Sequence, residues 1–465
     1  MNKYPHALTS LKNSLLAIVL LALLPVSYIH GQDPLPTRPR VDVTPTVCPE
    51  NNDSIEVLGM SQAEISIGQT WEERLKAELD KFANEAEASN YDAGICVWDL
   101  TADSLLWCYN SHKTMRPAST QKVLTAISAL SILGARHEIK TNAYYTGSIS
   151  PDGVLEGDIY VVGGFDPMYS ITDLRELARQ VSSLGIKAIN GKVYGDACMK
   201  SSDLYGCGWC WDDVPSKNQP YLCALMVERG MLAPKFNKYS QDVSFNPAEY
   251  FVQLLSEEMQ ALHIVAADSA ASKIGYGMQE YKYNGKVFYT KTRTVDQVMQ
   301  QMLKDSDNLH AESIFFQLAN AAAGKRCTWK DGAKQIENVL RQAGASTSAV
   351  YVVDGSGVSL YDYATPNAQV AMLRYAFRNS NIYQYFYPAL PIAGVDGTLA
   401  HRMKSGNAYR NVHAKTGTVK GVSSLSGYVT ASNGHQLAFS ILTNGVLFPQ
   451  VSRNFQDRIC QELAQ

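Results

Sequence analysis

The stretch R-P-A-S-T-Q-K, residues 116–122, stands directly before the apolar run V-L-T-A-I-S-A-L, which favours a helix. If the helix begins here, Ser119 and Lys122 are one turn apart and share a face. Two interpretations follow. Ser119 either caps the helix beside a solvated lysine, or it is a nucleophile whose base is Lys122. The stretch by itself favours the cap, so the rest of the chain must decide.

The whole chain has the composition of a globular protein. Its 465 residues are 46% hydrophobic and 18% charged, which fits a substantial core and two or three domains. The formal net charge is −3, so no basic surface indicates a nucleic-acid partner, and we expect none.

The N-terminus predicts export. Lys3 and Lys12 precede the run S-L-L-A-I-V-L-L-A-L-L-P-V-S-Y-I, which is shorter than the ~20 residues that a spanning helix needs. We therefore predict a signal peptide over residues 1–31. Ile29 is large for the −3 position before Gly31, so an uncleaved membrane anchor is the alternative.

A proline-rich linker is predicted over residues 32–67, which carry five prolines among polar residues. A helix then starts near Thr70, because Trp71, Leu75 and Leu79 fall at helical spacing. Residues 138–285 have a different sequence pattern, in which short segments of alternating apolar and polar residues are separated by Gly, Pro and Asp. They read mostly as strand and turn. This part of the chain resembles an insertion.

Other elements follow from the same periodicities. They are a hairpin over 92–110, a helix from the opening stretch to about Leu133, helices around 295–303, 309–323 and 331–343, and a C-terminal strand hairpin.

Nine cysteines are present, and export would permit disulfides. Cys96 and Cys108 fall on the two strands of the predicted hairpin, so they are candidates for a bridge. Cys207-Gly-Trp-Cys210 lacks a βαβ context and a second ligand pair, which argues against a thioredoxin-like or zinc site. A structural disulfide or free thiols is the preferred interpretation.

Three short motifs carry the chemistry. Ser119-Thr-Gln-Lys122 opens a predicted helix, Ser306-Asp307-Asn308 ends one, and Lys415-Thr416-Gly417, followed by Thr418, precedes a strand hairpin. Each motif alone also has a purely structural interpretation. The first can be a helix cap, the second a helix stop and the third a turn. Together, in this order, they resemble the S-x-x-K, S-D-N and K-T-G motifs of β-lactamases and penicillin-binding proteins.

Further segments narrow the resemblance. They are G-G-F-D-P-M (163–168), G-W-C-W-D-D (208–213), V-D-G-S-G-V-S (353–359) and P-I-A-G-V-D-G-T-L-A-H-R-M (391–403). With the long insertion between the first two motifs, the chain resembles the D-alanyl-D-alanine carboxypeptidase/endopeptidase family. These are the S13 peptidases, or class C low-molecular-mass penicillin-binding proteins. The resemblance covers roughly residues 70–460.

That resemblance implies an α/β (α+β) fold. A transpeptidase-like domain, with an antiparallel sheet flanked by helices, would be assembled from residues 68–137 and 286–465. The inserted region, residues 138–285, would be largely β. No metal or organic cofactor is implied.

The resemblance also implies residue roles. Ser119 would be the nucleophile, Lys122 its base, and Ser306 a proton relay to the leaving amine. For Lys122 to act as a base, its pKa must fall through burial or a neighbouring cation, and Lys415 could be that cation. Substrate binding would fall to Asn308, Lys415, Thr416, Gly417 and Thr418, with the Ser119 and Thr418 N–H groups as the oxyanion hole.

Other positions are less settled. Asp213 matches an acidic residue that lies near the substrate in the family, and a solvated loop carboxylate is its alternative. Lys420 stands where a neutral Gln is common, which leaves the charge preference for substrate open. His310 and His413 flank motifs, and we expect packing or surface roles for both.

The leading hypothesis is a periplasmic serine DD-peptidase acting on peptidoglycan stem peptides, with β-lactams as covalent inhibitors. A β-lactamase or esterase is the second hypothesis, although no E-x-x-L-N segment follows S-D-N. A non-catalytic wall-binding protein is the third, and the intact Ser119, Lys122, Ser306 and Lys415 argue against it. The sequence leaves the oligomeric state open.

Overall fold

The computed structural model describes residues 70–213, 216–232, 244–271, 273–282 and 284–465. The predicted signal peptide and proline-rich linker therefore lie outside the described residues. Within the described ranges, no helix is both long enough and apolar enough to cross a membrane.

Helices make up much of the described chain. The α-helices are α1 (Trp71–Glu87), α2 (Gln121–Ile132), α3 (Ile171–Ser183), α4 (Pro247–Ala261), α5 (Val295–Lys304), α6 (Asn308–Ala323), α7 (Trp329–Gln342), α8 (Pro366–Arg378), α9 (Ser380–Ala389) and α10 (Pro449–Leu463).

The strands fall into three sheets. They are β1 (Asp92–Asp99), β2 (Ser104–Tyr109), β3 (Glu138–Tyr145), β4 (Ser148–Ile149), β5 (Val154–Glu156), β6 (Ile159–Val162), β7 (Ala188–Ile189), β8 (Lys192–Asp196), β9 (Val265–Ala266), β10 (Gly275–Met278), β11 (Lys286–Thr294), β12 (His413–Val419), β13 (Gly421–Thr430) and β14 (Gln436–Val446).

The first sheet has the order β12-β13-β14-β1-β2 and is antiparallel throughout. Helices α1 and α10 pack on one side of it, and α2 and α8 pack on the other. Because both faces are covered, β13 is buried along almost its whole length. This arrangement confirms the predicted antiparallel sheet flanked by helices, and it leaves β12 at an edge.

The predicted elements around this sheet are confirmed. Helix α1 begins with a capping box, in which Thr70 Oγ1 accepts from the Glu73 N–H and the Glu73 carboxylate accepts from the Thr70 N–H. The hairpin β1–β2, helices α2 and α5 to α7, and the hairpin β13–β14 also lie where their periodicities predict them.

Strands between residues 138 and 294 form the other two sheets, with orders β10-β8-β6-β3-β11 and β4-β5-β7-β9. Strand β11, which follows residue 285, pairs with β3 across the predicted boundary. Residues 138–285 also contain α3 and α4, whereas the sequence pattern predicts mostly strand and turn. Leu174, Leu177 and Val181 form the buried face of α3.

One cysteine prediction is wrong. Cys96 lies opposite Cys108 in the β1–β2 register, but Cys96 is a free thiol. Its side chain is buried in the hydrophobic core, so its place in the hairpin serves packing. Cys207 and Cys210 are also free thiols, which agrees with one of the two preferred interpretations.

Phe439 tests the core of the first sheet. It is fully buried on β14, between β13 and β1. We expect Phe439→Ala to lower the free energy of unfolding by about 3–5 kcal/mol, because it leaves a cavity. Phe448→Ala is the matched control, since Phe448 is 71% exposed, and it should change stability by less than about 0.5 kcal/mol. Denaturant titration measures both. Equal effects would contradict the assigned strand.

Candidate active site

The opening stretch folds into a short 3-10 helix, Ala118–Thr120, that leads into α2. Ser119 makes no side-chain capping bond to the helix. Instead, its Oγ accepts a hydrogen bond from Lys122 Nζ at 3.0 Å. The cap interpretation of Ser119 is therefore wrong, and the residue is paired with a lysine as a nucleophile would be.

Lys122 is fully buried, and its ammonium has three acceptors. Besides Ser119 Oγ, they are Asn308 Oδ1 at 2.7 Å and the Ser356 carbonyl at 2.8 Å. An ammonium has three N–H donors, so all are used. Burial lowers the pKa of Lys122 to about 8, while the nearby carboxyl of Asp354 opposes that shift.

The loop that supplies the Ser356 carbonyl is shaped by Asp354. Its carboxylate accepts hydrogen bonds from the N–H groups of Ser356, Gly357 and Ser359, and from Trp209 Nε1 at 2.9 Å. A Cβ on Gly357 would lie 1.9 Å from the Ala118 carbonyl oxygen, so only glycine fits. The D-G-S-G segment is therefore in close contact with the turn that carries Ser119.

The second motif joins α5 to α6. Ser306 has a left-handed backbone (φ 61°), and Asp307 caps α6 by accepting from the His310 N–H. Asp307 also pairs with Arg229 Nη1 at 2.9 Å. Burial alone would raise the pKa of Asp307, but hydrogen bonding and charge from His310 and the charge of Arg229 hold it well below its usual range. The carboxylate therefore stays ionised.

The third motif lies on the edge strand β12. Lys415 is fully buried, and its Nζ donates to the Thr416 carbonyl at 2.8 Å. Burial, and then the charge of Lys122, lower the pKa of Lys415 well below its usual range. The Thr416 hydroxyl donates to Thr398, whereas Thr418 is exposed.

Gly417 brings this strand against Ser119. A Cβ at Gly417 would lie 2.1 Å from Ser424 Oγ, 2.9 Å from the Pro117 carbonyl oxygen and 2.9 Å from the Ser119 nitrogen. Ser424 Oγ also donates to the Pro117 carbonyl at 2.6 Å. The sheet therefore holds the Ser119 turn from the side of β12 and β13.

Most of the predicted residues come together. Ser119, Lys122 and Asn308 are hydrogen-bonded, and Gly417 packs against Ser119. Ser306 lies two residues before Asn308 in the same loop. Asp213 is different, because its carboxylate accepts from the Cys210 N–H at 2.9 Å within its own turn.

Several neighbours of the site were not assigned a role from the sequence. Asp354 and Ser356 belong to the quoted D-G-S-G segment, so that pattern could have found them. Glu312, whose carboxyl accepts from the Gly355 N–H, belongs to no motif. Gln219 and Arg229 also belong to no motif, and they contact the second motif from the predicted insertion. Among the described residues, no group of His, Cys, Asp or Glu side chains could hold a metal ion.

Comparisons with known proteins identify the family of this chain. The model of the D-Ala-D-Ala carboxypeptidase 3 (S13) family matches residues 75–287 and 238–465. A D-alanyl-D-alanine carboxypeptidase of Actinomadura sp. (strain R39) is 27% identical, covering 84% of each chain. The D-alanyl-D-alanine carboxypeptidase DacB of Haemophilus influenzae is 26% identical, covering 77% of this chain and 86% of that protein.

The fold has solved counterparts. The crystal structure of penicillin binding protein 4 (dacB) from Haemophilus influenzae superposes with a TM-score of 0.74 at 22% identity, covering 83% of this chain and 99% of that one. The family match runs from α1 to the last residue and includes all three motifs. This chain therefore belongs to the S13 family of D-Ala-D-Ala carboxypeptidases.

Proposed function

We propose that this protein is an exported, periplasmic serine DD-peptidase. It would hydrolyse the terminal D-Ala-D-Ala bond of peptidoglycan stem peptides, the D-Ala cross-link, or both. The observation that carries the proposal is the hydrogen bond between Ser119 Oγ and a buried Lys122, whose pKa burial lowers to about 8. A lysine in this state accepts a proton near neutral pH.

In the acylation step, Ser119 Oγ attacks the carbonyl carbon of the scissile peptide bond. Lys122 Nζ, 3.0 Å away, takes the hydroxyl proton. The oxyanion would be held by the N–H groups of Ser119 and Thr418. When the C–N bond breaks, Ser306 would pass a proton to the leaving amine. The product is an ester between Ser119 and the penultimate D-Ala, which water then hydrolyses.

Substrate binding is proposed along the edge strand β12. An extended peptide can add to an exposed sheet edge through main-chain hydrogen bonds. The hydroxyls of Thr416 and Thr418, with the charge of Lys415 behind them, suit the terminal carboxylate of the substrate. β-Lactams would enter the same groove and acylate Ser119.

Asp213 is the remaining proposed substrate contact. Its loop is tied to the site by Trp209, whose Nε1 donates to Asp354 Oδ2. Asp213 follows Trp211, whose side chain is 89% exposed. An acidic group here would suit a cationic group on the stem peptide.

The nucleophile is tested by intact-protein mass spectrometry after exposure to benzylpenicillin. We expect a stable adduct of one penicillin mass in the wild type and none in Ser119→Ala, because the acyl ester forms on Ser119 Oγ. Rapid penicillin turnover without an adduct would indicate a β-lactamase. Neither adduct nor turnover would favour a wall-binding protein.

The base is tested by the pH dependence of acylation. Lys122 acts only when neutral, so below its pKa of about 8 the rate should fall about tenfold per pH unit. Above that pH it should level off. Stopped-flow acylation by a chromogenic β-lactam measures the profile. Lys122→Arg should be inactive at every pH, since guanidinium keeps its proton. A flat profile would exclude Lys122 as the base.

The close approach at Gly417 is tested by Gly417→Ala. The added methyl group would overlap Ser424 Oγ and displace either β12 or the Ser119 turn. We expect acylation to slow by about 100-fold, because small displacements of reacting groups have effects of that size. Gly277→Ala in β10 is the control, since its Cβ would meet its nearest neighbour at 3.7 Å. Unchanged acylation in Gly417→Ala would contradict the geometry.

A further inference from the structure

Gln219 of the inserted region reaches the catalytic group. Its Oε1 accepts from Asn308 Nδ2 at 2.7 Å, and Asn308 Oδ1 accepts from Lys122 Nζ at 2.7 Å. Gln219 is buried, with 4% of its surface exposed. A continuous hydrogen-bonded chain therefore runs from Ser119 through Lys122 and Asn308 to Gln219.

The chain has a fixed direction. The Lys122 ammonium can only donate, so Asn308 must present its oxygen to it. Asn308 then has only N–H groups to offer on its other side, and Gln219 must present its oxygen in turn. The remaining Gln219 Nε2 is buried and has no hydrogen-bond partner within the described residues. A buried donor without a partner costs free energy, so the presence of Gln219 at this position calls for an explanation.

We propose that Gln219 is a positioning residue of the active site, which fixes the orientation of the Asn308 carboxamide and through it the direction of Lys122. This inference rests on the proposed function, because it assumes that Lys122 is the base. The class of ligand is unchanged. What is new is that the inserted region supplies a member of the catalytic hydrogen-bond chain.

Asn308 needs a second contact because its carboxamide can adopt two orientations of nearly the same shape. Turning the Asn308 amide by half a turn keeps its shape but points an NH₂ group at the ammonium. Two donors would then face each other. The oxygen of Gln219 stabilises only the productive orientation, because the turned amide would bring two oxygens together.

Gln219 is itself held firmly. Its N–H donates to Ser216 Oγ, and its carbonyl accepts from the Ser216 N–H, both at 3.0 Å. Further along the same segment, Arg229 donates to the Lys217 carbonyl and pairs with Asp307. The segment is thus attached at two points, Asn308 and Asp307, to the motif that it orients.

The test compares two substitutions of Gln219 by acylation with a chromogenic β-lactam across pH. Gln219→Met keeps the stem but removes the acceptor. We expect its plateau rate to fall about tenfold. Its acidic limb, the fall in acylation rate below the pKa of Lys122, should move about one pH unit lower. The reason is that the charged form of Lys122 loses an acceptor with a fixed orientation. Gln219→Glu keeps an oxygen for Asn308 and should stay within a few-fold of wild type, with its limb unmoved or higher.

A packing role alone would move stability but not the pH profile. Asn218→Leu is the matched control, since Asn218 is an exposed neighbour in the same loop, and its limb should match wild type. An unmoved limb in Gln219→Met, or a limb in Gln219→Glu that falls as in Gln219→Met, would overturn the proposal.

A second measurement does not depend on activity. NMR titration of lysine-labelled protein reports the pKa of Lys122 directly, and Gln219→Met should lower it relative to wild type and Gln219→Glu. If wild type shows no acylation of Ser119, the proposed function fails, and this titration still decides the role of Gln219. An equal pKa in all three proteins would refute that role.

Discussion

The burial of the Lys122 ammonium is the constraint on which the site depends. A charge removed from water needs a hydrogen bond for each of its donors. The three acceptors come from three separate parts of the chain, namely Ser119, Asn308 and the Ser356 carbonyl. The fold must therefore bring these segments to one point before Lys122 can be buried. The proposed catalytic geometry and the burial of this charge therefore depend on the same contacts.

Residues 138–285, the predicted insertion, belong to this arrangement. A long insertion between the first two motifs could in principle be a separate appendage. Here it contacts the second motif twice, through Gln219 on Asn308 and Arg229 on Asp307. Arg229 and Ser306 both have left-handed backbones, as does Ala118 beside Ser119. Strained residues of this kind persist where the surroundings determine the backbone strongly, and here they lie where the segments meet.

The sequence predicted those parts of the molecule that depend on local patterns. Helix α1, the β1–β2 hairpin and the motif residues Ser119, Lys122 and Asn308 all follow from spacing or motif. The sequence does not predict helix α3, although its apolar residues have helical spacing, because the glycines and short alternating segments around it favour strand and turn. Gln219 could not have been found at all. Its role arises from a contact with a residue 89 positions away, and no local pattern encodes such a contact.

The pKa of Lys122 follows from a balance between its burial and the carboxyl groups around it. Burial raises the pKa of Glu312 and of Asp362 well above the usual range, which favours their neutral forms. Asp307 stays anionic, and Asp354 accepts four hydrogen bonds, as a carboxylate does. Burial lowers the pKa of Lys122, and the charges of nearby carboxyl groups, that of Asp354 first, oppose this shift. Together they set the pKa of Lys122 at about 8, close enough to neutral pH for the base role that is proposed for it.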